Sequence, residues 1–287
     1  MRIWSILYPI GIYFVVTAVV QIAVGFSFPS VYADKVLLQM IASAVTIPFL
    51  CSFYLPDQKM RAEWAVQREA AQTGQKPLRQ KRAEQKNKTD HTGKTVCAAV
   101  LAALLGFCFS LAWNTILGAV RLYQYSASYQ KIEATFYAGS FAVEIVALCI
   151  VVPIAEEPLY RGIVYGRIRD WLGVPAAVAG SAVIFGAIHM NLVQFVYADV
   201  FGLILAMLAE YRRGILYAAC CHMAANFASV LRAETSAISF LDDASMAMQI
   251  ILTILLLAVS AALFFGIRFL TKENRTDENS LSGETQL

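Results

Sequence analysis

Charged residues are scarce in this 287-residue chain: they make up 15% of it, whereas 59% of the residues are hydrophobic and the mean hydropathy is +0.59. A soluble domain typically has about 25% charged and 45–50% apolar residues. The composition therefore excludes an ordinary soluble enzyme, a disordered chain, and nucleic-acid binding as a main function. The length allows one large domain, or about eight membrane spans of about 20 residues with their loops.

Cysteine and histidine are also rare, with six and three residues respectively. The cysteines show no C-x-x-C spacing and lie in or beside apolar runs, so we interpret them as small buried residues rather than as disulfides or thiolate metal ligands. His91 falls in a basic polar segment. His189 and His222 fall in apolar runs, which makes them the unusual pair.

Apolar runs long enough to span a bilayer recur along the chain. Only helices and closed barrels satisfy the backbone inside lipid, and these runs lack the alternation of barrel strands. The sequence therefore predicts an all-α polytopic membrane helix bundle with about eight transmembrane helices. The predicted spans are Ile3–Phe26, Val36–Leu55, Val96–Val120, Phe141–Val164, Val174–Met190, Val193–Ala209, Ile215–Leu231 and Ala244–Leu270.

Polar segments divide the chain into four predicted parts. These are two N-terminal spans (1–55), a basic cytoplasmic loop (56–95), a six-helix membrane domain (96–270), and a polar C-terminal tail (271–287). If the N-terminus lies inside, 19 of the 23 Lys and Arg residues fall on the inner side. This asymmetry predicts a multi-pass protein of the cell membrane with both termini in the cytoplasm.

Ionisable residues inside membrane spans are costly, so each one is a functional candidate. The fourth span contains Glu156, Glu157 and Arg161. Glu157 and Arg161 are one helical turn apart in the favourable order for an ion pair. Glu156 projects about 100° away from Glu157. The two adjacent acids can therefore have different roles.

Two later spans also carry polar pairs at i,i+4 spacing: Phe185 with His189, and His222 with Asn226. Counted from the cytoplasmic ends, these groups and Glu156 lie about 10–22 Å deep in a core about 30 Å thick, so they could converge. The alternative is that each residue only bonds a neighbouring helix. Glu144 and Asp199 are further acids in the spans without an assigned role.

The runs E-E-P-L-Y-R (Glu156–Arg161), F-G-A-I-H (Phe185–His189) and H-M-A-A-N (His222–Asn226) resemble the motifs EExxxR, FxxxH and HxxxN. These motifs mark the CPBP intramembrane proteases, the CAAX-protease and bacteriocin-processing (Abi) family. The three runs occur in the family order on successive predicted spans. The resemblance covers about 141–231, the expected protease core.

The resemblance implies hydrolysis of a peptide bond within the membrane. It implies that Glu156 activates water, that His189 and His222 hold that water or a metal ion, and that Asn226 helps to stabilise the oxyanion. Glu157, Arg161 and Phe185 would support the site. A buried carboxylate near imidazoles suits general-base chemistry, and an amide donor suits an oxyanion.

A zinc ion is an open question at this stage. Glu156, His189 and His222 with one water would make an acceptable zinc ligand set. The sequence has no H-E-x-x-H motif, and a metal-free water activated by Glu and His fits the same residues equally well.

The leading hypothesis is therefore a membrane peptidase whose partners are the lipid bilayer and a membrane-associated peptide or protein, of CAAX-like, bacteriocin or other type, with no nucleic acid. One alternative is a catalytically silent immunity or scaffold protein. Another is a proton-coupled transporter that uses Glu144, Glu156 and Asp199, although the sequence shows no inverted repeat.

Overall fold

The chain is almost entirely helical. The computed structural model describes residues 2–73, 88–137, 139–211 and 214–271, and these ranges contain helices and their connections without a strand. In chain order the helices are α1 (Arg2–Ser27), α2 (Pro29–Ala33), α3 (Lys35–Thr73), α4 (Lys88–Ala119), α5 (Ala127–Phe136), α6 (Phe141–Leu172), α7 (Val174–Ala187), α8 (Leu192–Ala209), α9 (Gly214–Glu234), α10 (Phe240–Asp243) and α11 (Met246–Thr271). Short 3₁₀ turns at Leu122–Tyr125 and Ser236–Ile238 complete the chain. The predicted all-α polytopic bundle is confirmed.

Among the described residues, fewer helices have the length and composition of a membrane span than the predicted eight. Within the described residues, six helices are long and apolar enough to cross a membrane, namely α1, α3, α4, α8, α9 and α11, and a seventh span results if α5 and α6 count as one bent element. Each of the eight predicted runs is helical over most of its length. However, α7 has only 14 residues, and α6 carries several charged residues along its length.

The predicted basic loop has helical flanks. Helix α3 continues past the expected boundary at Leu55 to Thr73, and α4 begins at Lys88, before the expected end of the loop. The centre of the loop (74–87) and the tail (272–287) lie outside the described residues.

The helices pack into two main hydrophobic clusters. The first contains Ile10 and Leu50 from the N-terminal helices together with Leu159, Phe185 and Ala206, so α1 and α3 share a core with α6, α7 and α8. The second joins α4, α8, α9 and α11. Helices α1 and α11 have only 11% of their most apolar window buried, which leaves long apolar faces available to lipid.

Small residues set the closest helix contacts, as is common in membrane bundles. A Cβ atom at Gly106 of α4 would lie 1.9 Å from the backbone oxygen of Cys221 in α9. A Cβ atom at Gly202 of α8 would lie 3.1 Å from Cα of Ala182 in α7. Since Cys221 precedes His222, the contact at Gly106 helps to fix the position of that histidine.

Helix α6 is irregular at its centre. It contains two π-helical stretches, Ile145–Val151 and Pro158–Val164, on either side of the α-helical segment Val152–Glu157. Pro153 lies in the first turn of the α-helical segment and Pro158 begins the second π-helical stretch, and neither has an N–H to donate. Wide π-helical turns occur frequently at functional sites, and here they flank the pair of acids.

Candidate active site

The two adjacent acids of α6 have different surroundings. The side chain of Glu157 is fully buried, whereas that of Glu156 keeps 11% of its surface exposed. Both carboxylates approach His222 of α9, Glu157 at Nδ1 and Glu156 at Nε2. The expected difference between the two acids therefore lies in their exposure and in the ring nitrogen that each one approaches.

His222 lies between these two carboxylates. Its Nδ1 is 2.8 Å from Oε1 of Glu157, and its Nε2 is 3.9 Å from Oε2 of Glu156. An ionised carboxylate can only accept, so Nδ1 carries the hydrogen and Nε2 presents a lone pair when the ring is neutral. Glu157 thereby orients the imidazole towards Glu156.

His189 does not lie within a helix, as the predicted span Val174–Met190 implied. Helix α7 ends at Ala187, and His189 occupies the turn that leads to α8. The turn is closed by Met190, whose φ of +56° is unusual for a residue with a side chain, and by Asn191, whose side chain caps α8. The Nδ1–H of His189 donates to the carbonyl oxygen of Phe185 at 2.9 Å, so the lone pair of the neutral ring is on Nε2, as it is in His222.

The ring of Phe185 connects the motif residues. Its centroid is 5.3 Å from the ring of His189 and 5.7 Å from that of His222, and both contacts are edge-to-face. The guanidinium carbon of Arg161 lies 4.2 Å from the same ring centroid. The structure thus brings all three motifs together around one aromatic side chain.

Arg161 is fully buried beside Glu157. The nearest atoms of the expected ion pair, Nη1 and Oε1, are 3.4 Å apart, and that carboxylate oxygen already accepts from His222. None of the three guanidinium nitrogens has a hydrogen-bond partner in the described part of the chain. Glu157 is therefore shared between a cation and an imidazole instead of serving Arg161 alone.

Asn226 uses one of its two amide N–H bonds to contact a neighbouring helix. Its side-chain Nδ2 donates to the backbone oxygen of Leu148 at 2.8 Å, in the first π-helical stretch of α6. An amide group has two N–H bonds, so a second donor is left. This contact holds α9 against α6 one turn beyond His222.

Glu144 and Asp199 lie apart from this group. Glu144 is buried at the other end of α6, where its Oε1 accepts from the backbone N–H of Gly139. Asp199 packs against Gly186, and its Oδ1 is buried with no hydrogen-bond partner in the described ranges. Neither residue contacts Glu156 or His222 in any hydrogen bond or ion pair among the described residues.

Sequence reasoning missed a polar cluster between α4, α8 and α9. The hydroxyl of Tyr197 donates to Ser110, which in turn donates to the backbone oxygen of Ala225, and Asn114 donates to Ser229. The signal available in the sequence was the set of hydroxyl and amide residues within apolar runs.

The metal hypothesis has suitable donor atoms. Two imidazole Nε2 atoms and one carboxylate are of the kinds that zinc binds, and each Nδ1 is held by an acceptor, as in many zinc sites. However, within the described ranges no three His, Cys, Asp or Glu side chains are grouped closely enough to hold a metal ion. The arrangement thus does not fit a three-ligand site, and zinc stays a prediction from the sequence.

The comparisons with known proteins agree with the motifs. Residues 138–228 match the family model described as "Type II CAAX prenyl endopeptidase Rce1-like", and the matched region contains all three motifs. No curated protein and no solved structure matches the chain. Over this region the chain is similar to CAAX-type intramembrane proteases, and the apolar helices support a location in a membrane.

Proposed function

Since residues 138–228 carry an Rce1-like domain, which supports the CPBP and CAAX protease family, we propose that this protein is an endopeptidase that hydrolyses a peptide bond of a membrane-associated protein by a Glu- and His-activated water. The substrate class that we infer is a chain with a CAAX-type C-terminus, in which a prenylated cysteine precedes the last three residues.

Glu156 is the general base in this proposal. It removes a proton from water, the water oxygen attacks the carbonyl carbon of the scissile bond, and the same proton then passes to the leaving amine. Its carboxylate is buried except for 11% of the side-chain surface and lies 3.9 Å from Nε2 of His222, so a water molecule could bond both groups at once. The products are a carboxylic acid and an amine, and no other reactant is needed.

His222 and His189 position the water in this reaction. The lone pair at Nε2 of His222 can accept one hydrogen of the water while Glu156 accepts the other. Glu157 is a positioning residue because it acts through His222, whose Nδ1 it holds at 2.8 Å. We assign His189 a similar role because Phe185 contacts both imidazole rings and the lone pair at Nε2 of His189 can also accept.

Asn226 is our candidate for the oxyanion donor. Its bond to Leu148 uses one N–H and fixes the orientation of the amide group. The second N–H can then donate to the negative oxygen that forms on the attacked carbonyl, which is the kind of preorganised contact that accelerates acyl transfer.

The single observation that carries this proposal is the placement of His222 between two adjacent buried carboxylates, of which only Glu156 keeps any exposed side-chain surface, 11%. A buried glutamate that only orients an imidazole and a second glutamate that faces its free nitrogen form an acid–base arrangement. A silent scaffold protein would not need this division of roles.

The test is cleavage of a fluorogenic prenylated CAAX peptide by the purified full-length protein in detergent. We expect turnover by the wild type, none by Glu156→Gln, and normal turnover by the matched control Glu133→Gln, whose residue is exposed on α5. A well-folded wild type that cleaves no peptide would favour the immunity or scaffold hypothesis instead.

A further inference from the structure

Helix α3 packs closely against the second π-helical stretch of α6. A Cβ atom at Gly162 would lie 2.5 Å from the ring of Tyr54, and one at Gly166 would lie 2.5 Å from the guanidinium of Arg61. The two glycines are one helical turn apart, so they form a strip without side chains along one face of α6. The two residues of α3 that occupy this strip lie outside the region 138–228 that matches the family model.

Arg61 makes two different kinds of contact with α6. Its Nε donates to Oδ2 of Asp170 at 2.7 Å, which is an ion pair, and Oδ2 of Asp57 lies 3.7 Å from its Nη2, so its charge is balanced. Its Nη1 donates to the backbone oxygen of Gly162 at 3.0 Å, within the π-helical stretch Pro158–Val164. A guanidinium can reach these separate acceptors because its donors point in several directions from one planar group.

The contact with Gly162 has a counterpart in the first π-helical stretch of α6. There the backbone oxygen of Leu148 accepts from Asn226 of α9 at 2.8 Å. Each of the two stretches therefore receives a side-chain donor from another helix. Such stretches are rare and short, so an external bond to one of their carbonyl oxygens helps to hold the backbone in that form.

The second π-helical stretch is joined directly to the groups that hold the imidazoles in place. It begins directly after Glu157, and Arg161 directly precedes Gly162. Glu157 accepts from His222 at 2.8 Å, and the guanidinium carbon of Arg161 lies 4.2 Å from the ring centroid of Phe185. A shift of the backbone at Gly162 would therefore move both of these supporting side chains.

We propose that Arg61 is a positioning residue for the candidate active site. Its bond to Gly162 fixes the second π-helical stretch, and this stretch holds Glu157 and Arg161. The inference deepens the proposed function and rests on it. Arg61 acts through the backbone of α6 and does not contact the substrate. Helix α3 thereby takes part in the reaction although none of the three motifs lies on it.

The experiment compares Arg61→Met with the matched control Asp170→Asn in the purified full-length protein, with a prenylated CAAX peptide as substrate. Both changes remove the same ion pair, so both should lower the melting temperature. Only Arg61→Met also removes the bond to Gly162. It should lower kcat by about 10- to 100-fold and leave KM within a few-fold, because a displacement of about 1 Å at a reacting group can reduce a rate by about 10²-fold. Asp170→Asn should keep the wild-type kcat.

Hydrogen exchange of the backbone amides in the stretch Pro158–Val164 provides a second measurement. Exchange reports the local opening of a segment, which a purely distant loss of stability does not confine to one stretch. It should be faster in Arg61→Met than in the wild type and unchanged in Asp170→Asn. The same exchange rates in Arg61→Met and the wild type would overturn the proposal.

Equal kcat values for Arg61→Met and Asp170→Asn would also overturn it, because the ion pair alone would then account for both, and the protease function would stand. If Arg61→Met does not fold, Arg61→Lys decides. A lysine keeps the charge beside Asp170 but concentrates its donors at one point, so kcat should fall while the melting temperature changes little. A wild-type kcat in Arg61→Lys would contradict the positioning role. If the wild type itself cleaves no peptide, the proposed function fails and the positioning role fails with it.

Discussion

Nδ1 of His222 donates a hydrogen bond of 2.8 Å to Oε1 of Glu157, a residue 65 positions earlier in the chain. This bond links the EExxxR and HxxxN motifs directly. The second acid of the EExxxR motif therefore has two roles, because Glu157 orients an imidazole in addition to neutralising Arg161 at 3.4 Å. The second carboxylate, Glu156, is thereby left for the water.

The bond predicts that Glu157→Gln impairs turnover without removing the general base. The uncharged amide stabilises a protonated imidazole poorly and leaves Arg161 without a counter-charge. We expect kcat to fall by about 10²–10⁴-fold and KM to change little, by analogy with acid–imidazole pairs in other hydrolases. The melting temperature should also fall.

Glu156→Gln separates the role of general base from the role of positioning His222. It should abolish turnover and leave the melting temperature near that of the wild type, because Glu156 is not part of the pair with Arg161. The test is to measure kcat and melting temperature for Glu156→Gln, for Glu157→Gln and for the control Glu133→Gln. Wild-type turnover in Glu157→Gln would show that the bond to His222 does not matter for the reaction.

Asn226→Ala should lower kcat by about 10²–10³-fold while KM stays within a few-fold, since an oxyanion donor acts in the transition state. Asn226→Asp should be at least as harmful, because its charge opposes the oxyanion. Either change also removes the bond to Leu148, so the melting temperature should fall.

A matched control for Asn226 exists in α4. Asn114 is an amide that bridges to Ser229 of α9 but lies outside the motifs. Asn114→Ala should reduce the melting temperature with little effect on kcat. If Asn226→Ala behaves in the same way as Asn114→Ala, then Asn226 is only a link between helices.

Gly106→Ala should disrupt the site from a distance. Its Cβ atom would lie 1.9 Å from the backbone oxygen of Cys221, so α4 and α9 must separate. Overpacking of this kind typically costs about 1–3 kcal/mol of stability, and a displacement of about 1 Å at a reacting group can reduce a rate by about 10²-fold.

Gly11→Ala provides the comparison, because a Cβ atom at Gly11 has no neighbour within 4 Å among the described residues. It should leave activity unchanged and stability equal or slightly higher. Thermal unfolding and turnover of both alanine variants test this. Equal behaviour of the two variants would mean that α4 and α9 do not pack as closely as described.

The orientation in the membrane is predicted by the basic residues, of which 19 of 23 fall on one side. Reporter fusions at Gln75 and Ser126 should lie on opposite sides, with Gln75 in the cytoplasm. A cytoplasmic signal from Ser126 would overturn the predicted topology.

The sequence determined the helical class and the choice of candidate site residues. A bilayer leaves no water for the backbone, so long apolar runs must become helices whatever their neighbours are. The i,i+4 spacing and the 100° step between Glu156 and Glu157 are likewise local properties of a helix. In the structure the two carboxylates approach different nitrogens of His222. The motif positions required no knowledge of packing.

Only the tertiary structure decided which groups meet. A helix in lipid can carry apolar residues on its outer face as well as its inner face, so their pattern does not mark the side that faces a partner. The bonds of His222 to Glu157 and of Asn226 to Leu148 depend on how α9 rotates against α6, which close contacts such as Gly106 with Cys221 help to set. Arg61 reaches the backbone of α6 across 101 positions because a glycine leaves room for it there. Such contacts arise from three-dimensional packing, and no periodicity along one helix encodes them.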